Sequence, residues 1–184
     1  MSELLIDRND FELYRPLPRT LDWESIVHVI IRIQRGWVCN ALGRGLYYDV
    51  CVNQALARNV TLLDGGTTTV NNNTAYFFGL KPAIVLYAYA NYIKQNDMRV
   101  TRAGNKVKMS AESENSPYAA IVAEYNKAMS EAQDYMTQVI EYLNDNASSY
   151  TLWKGGSPPR GAIKVGGAGH IDFYSEDTNY KNGR

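Results

Sequence analysis

The residues of this chain that could do chemistry are thinly spread. The two histidines, His28 and His170, lie near opposite ends of the sequence, and no His-Glu-x-x-His or comparable ligand spacing surrounds either. His28 falls in a helical stretch among apolar residues, where a hydrogen-bonded structural histidine is expected rather than a metal ligand. Cys39 and Cys51 are the only cysteines. They lack the close pairs of a structural zinc site and read as buried thiols. The glycine clusters GGSPPRG at 155–161 and GGAG at 166–169 do not match a phosphate-binding loop, and neither opens a helix after a strand. No serine, threonine or cysteine has a base beside it in a nucleophile motif. Glu112 and Glu114 read as solvated surface. No catalytic, cofactor-binding or metal-binding residue is assigned, and the chain is expected not to be an enzyme.

Charge is the chemistry that is patterned. Arg99, Arg102, Lys106 and Lys108 fall within residues 98–109 with no acid between them. The following segment carries Glu112, Glu114, Glu124, Glu131, Asp134, Glu141 and Asp145 against a single Lys127. A basic element therefore precedes an acidic one. Two readings stand: two solvated faces that balance each other, or a contact with a neighbouring copy or an acidic partner. The formal net charge of the whole chain is +0, which argues against nucleic-acid binding by bulk charge.

The elements that position these groups are mostly helical. Thr20 can cap a helix whose apolar residues Trp23, Ile26, Val27, Ile30, Ile33 and Trp37 keep helical spacing. Gly43 and Gly45 punctuate the chain before a second helix, expected at 46–58 with Leu46, Val50, Asn53 and Ala57 on one side. Residues 64–75, DGGTTTVNNNTA, read as a loop. A third helix is expected from Lys81 or Pro82 to Asn96, with Ala83, Leu86, Ala90 and Ile93 inward and Tyr87, Tyr89 and Tyr92 widening the stripe. Residues 98–109, MRVTRAGNKVKM, read as a hairpin turning at Ala-Gly-Asn. Ser116 and Pro117 open the longest helix, 116–144. Its apolar positions Tyr118, Ile121, Tyr125, Ala128, Ala132, Tyr135, Val139 and Leu143 recur every three or four residues.

At 184 residues the chain fits one domain plus extensions: an N-terminal arm 1–19, a helical domain 20–153 and a C-terminal docking arm 154–184. The N-terminal arm, with Pro16 and Pro18, is expected to be extended. The C-terminal arm is Gly-rich yet carries Ile163, Val165, Ile171, Phe173 and Tyr174, too apolar for a purely solvated tail. Its alternation suits strand-like docking on another subunit. Fourteen tyrosines against four phenylalanines suit partly wet interfaces or the edge of the core. No run of 18 apolar residues and no apolar signal stretch in MSELLIDRNDFELYRP is found, so no membrane association is expected.

Four stretches taken together resemble a known family: LGRGLYYDV at 42–50, FGLKPAIVLYAYANYI at 78–93, VTRAGNKVK at 100–108, and IEYLNDN followed by YTLW at 140–153. In order and spacing they resemble the helical head–tail connector proteins of tailed bacteriophages, also called adaptor or head-completion proteins, in particular those of Bacteroidetes phages. The resemblance implies a mainly α fold, a small helical bundle with a protruding β-hairpin and terminal arms. It implies a ring, typically of twelve copies, below the portal protein, joining capsid to tail and extending the DNA channel. The implied partners are the portal, tail or further neck proteins, and double-stranded DNA passing through the lumen without sequence-specific contact. The implied location is the neck of the virion, with the host cytoplasm during assembly. The N-terminal arm and the C-terminal extension depart from the short family form. The interface residues expected from the sequence are Arg99, Arg102, Lys106 and Lys108 on the hairpin, and Ile163, Val165, Ile171, Phe173 and Tyr174 on the arm. The alternative is a small helical DNA-binding or regulatory module using the basic hairpin 98–109, against which the acidic helix would repel phosphates.

Overall fold

A computed structural model describes residues 4–15, 23–70, 73–96, 98–101, 104–107 and 118–156. The fold is mainly α, a small helical bundle with protruding β-hairpins. Its helices are α1 (Arg8–Tyr14), α2 (Trp23–Ile33), α3 (Cys39–Leu42), α4 (Arg44–Val52), α5 (Ala57–Asp64), α6 (Lys81–Asn96) and α7 (Tyr118–Asp145). Two antiparallel hairpins interrupt them, β1 (Gly66–Val70) with β2 (Asn73–Phe77), and β3 (Met98–Thr101) with β4 (Gly104–Val107).

Helix α6 is the axis of the core. Every residue from Pro82 to Ala88 is buried, so the first half of this helix is enclosed on all sides rather than along the stripe expected for it. It is enclosed by α1, α2 and α7. Helix α7 has 28 residues, about 42 Å at the rise of an α-helix. Its expected stripe is buried at Ala128, Met129, Ala132, Met136, Val139, Ile140 and Leu143, while Tyr125 and Tyr135 pack at the edge. Ser116 and Pro117, like Thr20, lie outside the described residues.

Residues 4–15 are not an extended arm. Asp7 caps α1 through a reciprocal pair of bonds, the Asp10 amide donating to Asp7 Oδ1 at 2.8 Å and the Asp7 amide donating to Asp10 Oδ2 at 3.0 Å. The prolines that suggested extension begin only after Tyr14, beyond the end of the helix. Leu5, Ile6 and Phe11 belong to the core cluster, and Lys81 at the start of α6 pairs with Asp10 at 2.9 Å and Asp64 at 2.7 Å. Arg15 pairs with Glu131 of α7 at 2.7 Å and lies 3.8 Å from Glu124. The N-terminal segment is thus part of the domain.

The helix expected over 46–58 is broken. Helix α4 ends at Val52, and α5 starts after an extended Leu56. Asn53 competes with the helix by bonding locally, its Nδ2 donating to Asp49 Oδ1 at 2.8 Å. Asn59 Nδ2 donates to the freed Asn53 carbonyl at 3.0 Å, and Arg58 reaches Asp49 at 3.0 Å. Asp49 is the hub of this clamp. Burial pushes its carboxyl up, but the bonds from Asn53, Arg58 and Asn59 outweigh that and hold it below its ordinary 3.8. A depressed folded value contributes stability that is complete above the unfolded value and is lost as pH falls below it. Asp49→Ala is therefore expected to cost about 1–2 kcal/mol at neutral pH. The deficit should shrink below about pH 4 in denaturant titrations; a deficit independent of pH would assign the loss to packing.

Residues 66–70 and 73–77 pair as a hairpin where a loop over 64–75 is expected. The asparagines and glycines signal turns, but Thr67, Thr68, Thr69 and Val70 are β-branched and suit a strand. The register runs from Gly66↔Phe77 to Val70↔Asn73. Buried Phe77 stacks on Tyr142 of α7 with ring centroids 4.3 Å apart, which fixes the hairpin to the bundle. The second hairpin forms where expected. Its register pairs Thr101 with Gly104, so Gly104 and Asn105 belong to β4, and the connection at 102–103 lies outside the described residues.

Candidate functional site

Two features are available to partners. The first is the β3–β4 hairpin. Arg99 and Lys106 are direct cross-strand partners. Arg102 and Lys108 lie outside the described residues, as do the arm positions Ile163, Val165, Ile171, Phe173 and Tyr174. The structure therefore brings together Arg99 and Lys106, two of the nine expected interface residues.

The acidic helix facing such a partner is narrower than its composition suggests. Glu131 is paired with Arg15 within the chain, and Glu124 lies 3.8 Å from the same guanidinium. Asp134, Glu141 and Asp145 are exposed and make no ion pair among the described residues. Their spacings of seven and four put them on one face of α7.

The second feature is a cleft of about 880 Å³ between α3–α4 and the turns that follow α7. Its origin is a slip in helical phase. After α2 the backbone passes through one π-helical segment, Gln34–Val38, before α3. That segment inserts a residue, so the buried row Ile26, Ile30 and Ile33 continues through Gln34 and Val38 instead of Trp37. Gln34 is then fully buried and accepts the Leu5 amide at 3.0 Å through Oε1. Trp37, expected in the apolar stripe, is 43% exposed and packs edge-on against Tyr87 at 4.7 Å.

Opposite Trp37 the chain closes α7 with two tight turns, the Tyr150 amide donating to the Ala147 carbonyl and the Trp153 amide to the Tyr150 carbonyl. Tyr150 is buried and donates its hydroxyl to the Arg58 carbonyl, which fixes these turns to α5. Trp153 Nε1 donates to Asn144 Oδ1 at 2.9 Å. A Cβ on Gly156 would come within 2.7 Å of the Trp153 ring, so the backbone lies directly on the indole. Leu152 is left 48% exposed beside it. Met136 and Tyr87 line the cleft from the core side, and burial pushes the Tyr87 hydroxyl up to about 12. Arg44 and Lys154 also line it, both exposed and without an ion pair among the described residues. No acid lines this cleft.

The arrangement suits an apolar ligand segment carrying negative charge. Sequence reasoning missed it because its walls come from three distant segments, although two stretches already singled out, LGRGLYYDV and YTLW, meet there. His28 is exposed on α2 and is not a packed core histidine. Cys39 and Cys51 are free thiols, the first buried and the second half-buried. Of the two readings of the tyrosines, the core-edge one fits Tyr89, Tyr92, Tyr125, Tyr135 and Tyr142. Among the described residues no cluster of three or more metal-ligating side chains occurs, and no helix is long and apolar enough to cross a membrane.

No curated protein and no solved structure matches the chain. A family profile does match, over residues 39–162, from the start of α3 to beyond the Trp153 turns. That family is described as a family of unknown function, DUF6712, and since the match spans most of the sequence, the chain belongs to it.

Proposed function

We propose that this protein is a structural virion component, a head–tail connector that forms a ring below the portal, joins capsid to tail and extends the DNA channel. The reading is non-enzymatic. It places the chain in the neck of the virion, in twelve copies by the pattern of the resembled family, with portal and tail or further neck proteins as partners. The observation that carries it is the opposite charge of two elements on one subunit, the basic β3–β4 hairpin and the acidic helix α7. Arg99 and Lys106 are register partners in the β3–β4 hairpin, and Asp134, Glu141 and Asp145 share a face of α7. A subunit with two different complementary surfaces associates head to tail, and head-to-tail contacts form a ring when the rotation between copies closes.

The test is the mass of the full chain, alone and mixed with the portal protein of the same genome, beside the Arg99→Glu/Arg102→Glu variant. Ring-sized complexes for the natural chain and their loss at low salt in the variant are expected. Salt-dependent binding to DNA fragments with no response to portal would support the regulatory alternative instead.

A further inference from the structure

We infer that the cleft lined by Trp37, Leu152 and Trp153 is the docking site for residues 171–177 of a second copy of this chain. The inference rests on the ring reading and names one of its contacts. The segment reads Ile171, Asp172, Phe173, Tyr174, Ser175, Glu176, Asp177, with three acids and no lysine or arginine. The cleft has the opposite character, Arg44 and Lys154 with no acid. Its apolar lining includes Trp37 and Leu152, each close to half exposed, which is costly for large side chains left in water. Ile171 and Phe173 supply alternating apolar groups for that surface, and the interleaved Asp172 with Glu176 and Asp177 supplies anions for Arg44 and Lys154.

The length of the chain permits delivery to a neighbour. Residues 155 and 156 line the cleft themselves, so the chain leaves from its edge. The 14 residues 157–170 span up to about 46 Å when extended, longer than α7 at about 42 Å, a reach that allows delivery to an adjacent copy. Each copy then offers one cleft and one segment, a heterologous pair of the kind that closes a ring.

The test uses the full chain with two single substitutions, Leu152→Asp in the exposed wall of the cleft and Phe173→Asp in the segment. Sedimentation velocity over a wide concentration range reads self-association, and circular dichroism verifies that both variants keep the native melting transition. Each variant alone is expected to associate about tenfold more weakly or worse, the scale of losing a buried apolar anchor. A one-to-one mixture is expected to recover a two-copy complex, because the intact segment of the Leu152→Asp chain meets the intact cleft of the Phe173→Asp chain. Variants that associate as the natural chain does would overturn the docking contact while leaving the ring reading in place. A mixture that recovers nothing, or a natural chain that stays monomeric, would exclude a second copy as the occupant and return the segment to its own cleft or to solvent. Assembly on portal is scored separately, so loss of the ring reading is seen independently.

Discussion

Replacing Ala132 by aspartate is expected to abolish cooperative folding. Ala132 is fully buried on the face of α7 that packs against α6, in a row with Ala128, Met136 and Val139. A carboxylate there is removed from water without a cation to meet it, at a cost of several kcal/mol whether it stays charged or is forced to take a proton. Its added atoms also enter a close-packed site that holds only a methyl group. The total is comparable to the stability of an ordinary domain, about 5–15 kcal/mol. Thermal melting by circular dichroism is the measurement. Ala123→Asp, on the exposed side of the same helix, is the control and should shift stability by no more than about 0.5 kcal/mol. A native melting curve for Ala132→Asp would show that the α6–α7 seam is not the core.

The second large effect is expected at the base of the β1–β2 hairpin. Gly65 and Gly79 have φ of +84° and +83° and lie back to back. A Cβ on Gly65 would sit 2.2 Å from the Phe77 carbonyl oxygen, and one on Gly79 would sit 2.4 Å from the Leu63 oxygen and 2.5 Å from the Gly65 nitrogen. These neighbours are backbone and cannot rotate away. Each Gly→Ala change is expected to cost about 3 kcal/mol or more, combining the left-handed conformation with overpacking. For a chain of this size that lowers Tm by roughly 6–12 °C. The double variant should cost less than the sum, since both substitutions break the same contact. Gly36→Ala has nothing within 4 Å of its new Cβ and should be neutral or slightly stabilising. Equal effects at all three positions would remove the hairpin base as the cause.

What could be read from the sequence was what periodicity and caps encode locally. Helix α7 buries its apolar row from Ala128 to Leu143, and α6 began at Lys81 as the Lys-Pro start implied. The β3–β4 hairpin also fell within the expected 98–109, although Gly104 and Asn105, expected in its turn, belong to β4. The failures share one cause, competition between local signals that only tertiary contacts settle. Asn53 ended α4 because Asp49, Arg58 and Asn59 gathered around it, a clamp that no helical period reveals. The threonines of β1 outweighed the flanking turn residues because Phe77 found Tyr142. Phe11 entered the core through the cap at Asp7, although Pro16 and Pro18 dominate the reading of that stretch. The cleft was hidden for a different reason. A single π-helical segment turned Trp37 outward, and a one-residue phase slip leaves no trace in a sequence where Ile33 and Trp37 still keep helical spacing.

The central claim is that copies of this chain close into a ring on a portal. The most direct measurement is native mass spectrometry of the full chain mixed with the portal protein of the same genome, read beside the chain alone. The account predicts a discrete complex in which the portal ring carries a fixed complement of this chain, twelve copies for a portal of twelve, and loss of that complex for the Arg99→Glu/Arg102→Glu variant. A chain that remains monomeric and leaves the portal mass unchanged would contradict it.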